Sequence, residues 1–165
     1  MYEPPHFQEP DTSLCHALIR ARPLGLLISP DRDGLMANPI PFLLDPDAAE
    51  KGVLRCHVAR PNPQWKQFLN PSQVLVVFQD HDHYIHPGWY QTKRETGKVV
   101  PTWNYAMVQV RGEARAKEDP VWIGKQIRDL TALMEETYPE PWAVDDAPET
   151  FITGQIRGIV GIEIT

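Results

Sequence analysis

Residues 57 to 66, HVARPNPQWK, join a basic side chain to the predicted start of a helix. Arg60 ends an apolar run, Asn62 is a favourable helix cap, and Pro63 suits the first helical position. Free backbone N–H groups at such a start, with Lys66 one turn later, favour an anion such as a phosphate. Alternatively, Asn62 only caps the helix while Arg60 and Lys66 are solvated.

A second stretch, residues 81 to 94, is rich in side chains that bind ligands. Its candidate ligand-binding residues are three histidines, an adjacent aromatic pair and two basic residues: His81, His83, His86, Trp89, Tyr90, Lys93 and Arg94. The histidine spacing matches no standard zinc signature, so no metal site is predicted. The aromatic and basic residues would either close over a planar anionic ligand or pack together as an aromatic loop.

The third stretch is VPTWNY, residues 100 to 105, at the start of an alternating strand pattern. Thr102 and Asn104 supply directional hydrogen bonds beside Trp103 and Tyr105. A pocket for a polar aromatic ring system requires such a combination. Taken singly, each of these side chains could simply cap the strand.

Several classes of chemistry lack their sequence motifs. The chain has no Gly-x-Ser-x-Gly, no phosphate-binding Walker loop and no dinucleotide fingerprint, which argues against hydrolases and nucleoside triphosphatases. Cys15 and Cys56 lie far apart and are predicted to be reduced thiols. The carboxylates fall mostly in loops, so no catalytic residue is assigned.

The elements that must position these stretches follow from hydrophobic periodicity. Helices are predicted at 11–22, 62–69 and 119–138, and strands at 23–29, 38–44, 53–59, 73–79, 106–111 and 157–165. The polar loop 91–101 is a candidate functional region. Six or so strands with few, separated helices predict a mainly β fold, a small antiparallel barrel with short covering helices.

Length and charge bound the remaining possibilities. With 165 residues, the chain is predicted to form one domain, 1–165. Its formal charge of -6 predicts weak non-specific attraction to nucleic acid or anionic membranes. No signal peptide or membrane-spanning segment is recognisable, so a cytoplasmic protein without a membrane partner is predicted.

Three ordered motifs resemble the PaiB-like family of FMN-binding negative transcriptional regulators: HVARPNPQW at 57–65, YIHPGWYQTK at 84–93 and VPTWNYAMVQVRG at 100–112. The resemblance implies an FMN-binding split barrel related to pyridoxamine-phosphate oxidases and flavin reductases. It also implies a homodimer with FMN at the subunit interface. The cofactor-binding residues it implies are His57, Arg60, Asn62, Trp65, Lys66, Lys93, Thr102, Trp103, Asn104 and Tyr105.

The chain departs from the family pattern in two places. Family members commonly have serine where this chain has His86, and a larger or polar residue where it has Gly88. Relatives also usually continue past a position like Thr165, so this chain is expected to lack a C-terminal extension.

The resemblance favours a flavin-dependent or ligand-sensing negative regulator with a DNA or protein partner. The predicted long helix carries Lys125 and Arg128 beside Asp129, Glu135 and Glu136, which is unlike a basic recognition helix. A flavin-dependent oxidoreductase, either a flavin reductase or an oxidase of a small substrate, is the alternative. A haem-binding protein that uses His81, His83 or His86 as axial ligand ranks last.

Overall fold

The structure is a computed structural model that describes every residue from Met1 to Thr165. Its helices are α1 (Thr12–Ala21), α2 (Thr92–Glu95), α3 (Pro120–Glu135) and α4 (Glu149–Arg157), with 3-10 turns at Pro5–Phe7, Pro63–Phe68, Pro87–Trp89 and Val144–Asp146. Its strands are β1 (Leu24–Asp31), β2 (Gly34–Pro41), β3 (Leu43–Asp45), β4 (Val53–Ala59), β5 (Ser72–Ile85), β6 (Thr102–Lys117) and β7 (Ile159–Ile164). None of the helices is long and apolar enough to cross a membrane.

All seven strands join one antiparallel sheet in the order β2-β1-β5-β6-β7-β4-β3. The sheet curls until β2, at one end of this order, lies against β4 near the other end. No backbone ladder joins β2 to β4, so the barrel stays open along this seam. The predicted antiparallel barrel with covering helices is therefore confirmed.

The interior of the barrel explains why the sheet curls. Alternate strand residues point inward and form most of one cluster of 17 buried residues, which also includes Ile19 of α1. Phe42 and Phe78 pack edge to face at its centre, with ring centroids 5.6 Å apart. Phe68 of the 3-10 turn at 63–68 is 1% exposed in the same cluster. This packing fixes the strands and turns that carry polar side chains.

The segment 38–44 was predicted as one strand but forms parts of β2 and β3. The break falls at Phe42, whose N–H donates to the Pro23 carbonyl at 2.8 Å and whose ring enters the core. The sequence prediction also missed α4, because ETFITGQIR contains two threonines and a glycine, all weak helix formers. The predicted long helix is present as α3, capped by Asp119.

Strands β5 and β6 are much longer than predicted and continue beyond the barrel wall. Their ladder runs from Ser72 opposite Ala114 to Ile85 opposite Thr102, with an irregularity between Gln79 and Asp82. We call residues 82–105, the far end of this hairpin and its connection, the arm. No residue of the arm is buried. The predicted polar loop 91–101 is its tip and contains α2.

Candidate functional site

An open cleft of about 240 Å³ lies along the seam between β2 and β4. Its lining residues are Asn38, Pro39, Ile40, Pro41, His57, Val58, Ala59 and Asn62. The walls are thus mainly apolar, with two amides and one imidazole as polar groups. Small-molecule sites commonly have this composition, an apolar surface with a few groups that fix orientation.

The local sequence keeps the seam open. Pro39 and Pro41 have no backbone N–H, so this part of β2 cannot donate a ladder of hydrogen bonds to another strand. On the other side, β3 covers β4 only from Val53 to Arg55, and His57 to Ala59 lie beyond its end. Two strand edges therefore face each other without pairing, and side chains line the space between them.

The buried Gln64 fixes the side chains of two residues that line the cleft. Its side chain is fully buried and its Nε2 donates to the Leu27 carbonyl at 3.2 Å and to Ser29 Oγ at 3.0 Å. Its Oε1 accepts from Asn38 Nδ2 at 2.9 Å. Its backbone N–H donates to Asn62 Oδ1 at 3.0 Å. Both cleft amides, those of Asn38 and Asn62, are therefore oriented through one buried glutamine.

His57 connects the cleft to the helical cover of the barrel. It is half-buried on β4, and its Nδ1 lies 2.7 Å from Oε1 of Gln126 in α3. Gln126 is 2% exposed, and its Nε2 has no hydrogen-bond partner. The His57 side chain is thus fixed from the helix side, and His57 is also one of the residues that line the cleft.

Arg60 anchors the turn after β4. Its guanidinium donates to the Arg157 carbonyl at 3.0 Å, to the Ile159 carbonyl at 3.2 Å and to Glu118 Oε2 at 2.7 Å. Its own carbonyl accepts from Nε1 of the buried Trp65 at 3.0 Å. Arg60 and Trp65 therefore tie the turn to α4, β7 and the segment before α3.

Lys66 is the free cation of this corner. Its side chain is exposed and forms no ion pair, unlike that of Arg60. The predicted anion site at the helix start has fewer free N–H donors than expected, because Pro63 has no N–H and the Gln64 N–H donates to Asn62. Any phosphate near this corner would depend on Lys66 more than on the backbone.

The remaining predicted residues lie on the arm. Thr102, Trp103, Asn104 and Tyr105 pair in register with Ile85, Tyr84, His83 and Asp82, and all four are exposed. Trp103 packs edge to face on Tyr84, with ring centroids 5.7 Å apart, and His83 stacks on Trp89 at 5.6 Å. Lys93, in α2 at the tip, is also exposed. These aromatic pairs stiffen the arm yet leave large apolar surfaces uncovered.

The ten predicted cofactor-binding residues therefore form two groups. His57 to Lys66 lie at the seam, where the two ends of the strand order meet, whereas the arm extends β5 and β6 in the middle of that order. In a curled sheet, the middle strands form the wall opposite the seam. The two groups therefore lie on different parts of the sheet.

Three residues of the site were missed in the sequence. Asn38 was read as part of a strand, although the NPIP pattern around it marks an edge that cannot pair fully. Gln64 follows a predicted cap and proline, where an exposed polar residue is ordinary. Gln126 had a visible signal, since it falls on the apolar stripe of α3 between Ile123 and Leu130.

Solved structures define the class of fold. The flavocytochrome Anf3 from Azotobacter vinelandii superposes with a TM-score of 0.67 at 12% identity, over 95% of this chain and 64% of that one. A FAD and heme binding protein from Mycobacterium smegmatis gives 0.66 at 14% identity, over 94% and 66%. The chain therefore has the flavin-binding split-barrel fold.

Sequence comparison identifies the family within this fold class. The family model described as "Putative FMN-binding domain" matches residues 1–165, and the chain belongs to this family. Protein AN0679 of Emericella nidulans is 37% identical, over 95% of this chain and 76% of that protein. Protease synthase and sporulation protein PAI 2 of Bacillus subtilis is 25% identical, over 99% and 76%. The predicted PaiB-like resemblance is confirmed.

Proposed function

We propose that this protein binds FMN as a homodimer and acts as a negative regulator of transcription whose signal is the occupancy or redox state of the flavin. The observation that carries the proposal is the cleft at the barrel seam, in a chain that belongs to an FMN-binding family. Its apolar walls suit an aromatic ring system, and Asn38, His57 and Asn62 can bond the polar edge of such a ring. A bound flavin would supply the redox chemistry that protein side chains lack.

The residues present fit a flavin only in part. The cleft volume of about 240 Å³ is below the roughly 300–1,000 Å³ of pockets that enclose a drug-sized ligand. Lys66 is the free cation at the corner, since the Arg60 guanidinium is committed to Glu118 and two carbonyls. Further atoms must cover the ligand, and in this proposal they come from a second copy of the chain.

The outer face of the sheet supports a homodimer. Strand β5 is apolar on both faces: Val74 and Val76 point into the core, while Leu75 and Val77 point outward. A strand of this composition is typical of a sheet covered on both sides. The outward row continues across β1 and β2 through Leu24, Leu26, Ile28, Pro39 and Pro41. A second copy seated on this face would cover it.

The arm supports the same dimer, with a role in the ligand site. Trp103 and Tyr105 are 57% and 60% exposed. Apolar aromatic surface in water is unfavourable, and a cluster of such side chains is typical of a surface that a partner covers. Lys93, Arg94 and Lys98 at the tip form no ion pairs. In the proposed dimer, the arm of one copy reaches the cleft of the other and adds aromatic cover and positive charge.

The regulatory part of the proposal follows the family resemblance and the Bacillus relative, whose name refers to protease synthase and sporulation. The helical surface argues for action through a partner protein. On α3, Lys125 pairs with Asp129 and Arg128 pairs with Asp145, so the basic residues are neutralised by their neighbours. A helix of this kind gives little attraction to the phosphates of an operator.

Titration of the purified wild type with FMN, FAD and riboflavin, followed by absorption and flavin fluorescence, tests the cofactor. We expect FMN to bind most tightly, near one per chain, because only FMN ends in a single phosphate that Lys66 can meet. Equal binding of riboflavin would show that the phosphate is not recognised. No binding of any of the three would refute the proposed cofactor.

Two assays on the flavin-loaded protein separate a regulator from an enzyme. Oxidation of NADH or NADPH with a small acceptor would favour the alternative, a flavin-dependent oxidoreductase. A gel shift of promoter DNA in the presence of competitor DNA, weakened by salt, would favour direct operator binding. Neither result is expected if the protein regulates through a protein partner, which affinity capture from cells with and without FMN would then identify.

A further inference from the structure

A buried glutamine occupies a position on α3 where an apolar residue would be expected. Gln126 lies between Ile123 and Leu130 on the stripe that faces the barrel, and the three are 2%, 1% and 7% exposed, respectively. Burying an amide costs free energy unless it is hydrogen-bonded, and half of this amide has no partner. A residue kept only for packing at this position would be aliphatic. The hydrogen bond of Gln126 to His57 must therefore explain why an amide is buried here.

That contact determines which nitrogen of His57 is available to a ligand. Gln126 Oε1 is a carbonyl oxygen and can only accept, so at 2.7 Å it takes a hydrogen bond from Nδ1–H. The neutral ring then carries its lone pair on Nε2, which has no partner in the protein. Because His57 is one of the residues that line the cleft, a free Nε2 can supply the cleft with an acceptor for an N–H group.

We propose that Gln126 is a positioning residue that holds His57 in the Nδ1–H tautomer, so that Nε2 accepts a hydrogen bond from a ring N–H of the ligand in the cleft. The inference rests on the proposed function for the class of ligand, since flavin rings carry such an N–H between two carbonyls. The neighbouring amides of Asn38 and Asn62 can donate to those carbonyls. Together, the Nε2 acceptor of His57 and the two amide donors would match the N–H group and the two flanking carbonyls of an imide.

Nitrogen NMR of protein labelled with 15N in histidine tests the tautomer without any ligand, and a His57→Asn variant identifies the signal. We expect the Nδ1–H tautomer in the wild type and the Nε2–H tautomer, which a free imidazole favours, in Gln126→Leu. Gln126→Glu keeps an acceptor oxygen and should restore the wild-type tautomer. Gln155→Leu, which alters an exposed glutamine of α4, should change nothing. Gln126→Met replaces Gln126→Leu if the latter does not fold.

FMN titration of the same variants tests the consequence. Loss of one oriented hydrogen bond should weaken binding on the order of tenfold in Gln126→Leu and much less in Gln126→Glu. An Nε2–H tautomer in the wild type would overturn the proposal, and so would unchanged FMN affinity in Gln126→Leu. A wild type that binds no flavin would instead refute the proposed function, because the tautomer is measured on the ligand-free protein.

Discussion

Arg60 and Lys66 lie one short turn apart, but their surroundings give them different tasks. Arg60 holds three acceptors on separate elements, and its planar guanidinium reaches them in a fixed geometry. Lys66 is exposed and contacts none. Arg60 therefore stabilises the fold, whereas Lys66 is left to bind the ligand in the proposed function, although the sequence analysis predicts both beside a phosphate.

Separate substitutions can divide these roles. Arg60→Lys should lower the free energy of unfolding by about 1–2 kcal/mol, because an ammonium cannot keep all three bonds. Lys66→Ala should leave stability within about 0.5 kcal/mol and weaken FMN binding severalfold. Urea unfolding and flavin titration measure the two effects, with Lys125→Ala on the exposed side of α3 as the control. Equal loss of FMN affinity in Lys66→Ala and Lys125→Ala would remove Lys66 from the site.

The chemistry of single residues was partly visible in the sequence. The motifs at 57–65 and 100–105 indicated a flavin protein, and Asn62 caps its turn as predicted. Sequence spacing could not show that the Arg60 guanidinium pairs with Glu118, 58 positions away. Nor could it show that the buried side chain of Gln64 orients both cleft amides. The position of Gln126 on the apolar stripe of α3 indicated its burial, but not its hydrogen bond to His57.

Among the elements, α3 packs so closely on the sheet that a side chain at one glycine of β7 would displace the helix. A Cβ at Gly161 of β7 would clash with the Trp122 ring, which covers this strand. Gly161→Ala should therefore displace α3 and cost about 2–3 kcal/mol of unfolding free energy. Gly154→Ala in α4 meets no atom within 4 Å and should stabilise slightly through its helix propensity. Urea unfolding of the pair checks this, and equal stability of both variants would contradict the close fit.

A charged row across three strands should make the stability of the barrel depend on pH in the acid range. Glu163 of β7 lies 2.9 Å from Lys117 of β6 and 3.5 Å from Arg55 of β4. Burial alone would raise the pKa of Glu163, but the hydrogen bond and charge of Lys117, with Arg55, bring that pKa below its ordinary value. Unfolding therefore requires proton uptake in acid, so this contribution is complete at neutral pH and is lost as the pH falls through the lowered pKa.

Glu163→Gln should remove this dependence. At pH 7 the variant should be less stable by about 1 kcal/mol, because the carboxylate is partly screened by solvent. Towards pH 3 the difference from wild type should shrink, since the wild-type carboxylate is then also neutral. Thermal unfolding at a series of pH values measures the difference. A constant gap across the acid range would mean that packing, and not charge, makes Glu163 important.

The element boundaries show where sequence reasoning reached its limit. Strand β7 and helix α3 were predicted because their periodicity is uninterrupted. Strands β5 and β6 were predicted seven and six residues long but have 14 and 16. Their outer ends, HDHYI and TWNY, do not alternate between apolar and polar residues, because the arm has no buried face in the single chain. Periodicity detects burial, and in the proposed dimer the arm is covered only by the second copy of the chain.

For the whole molecule, the proposed homodimer predicts that ligand binding depends on dimerisation, because the cleft and the arm lie on different parts of one chain. Leu24 is 62% exposed on the outer face of β1, and Val121 is 80% exposed on α3. Leu24→Glu should produce a monomer because it places a charge in the proposed interface, whereas Val121→Glu should leave the dimer intact. Sedimentation or light scattering should give the wild type and Val121→Glu twice the chain mass of 18.8 kDa, and Leu24→Glu that mass once.

The same variants decide whether the arm works in trans. If the arm of one copy completes the cleft of the other, a folded Leu24→Glu monomer should lose FMN binding although every residue of its cleft is intact. Trp103→Ala should remain a dimer yet bind FMN more weakly, and Trp142→Ala, another exposed tryptophan, should not. Mixing Trp103→Ala with Lys66→Ala should restore one normal site in each heterodimer, because the two changes then fall in the same defective site. Full FMN affinity in the monomer would show instead that one chain holds the flavin alone.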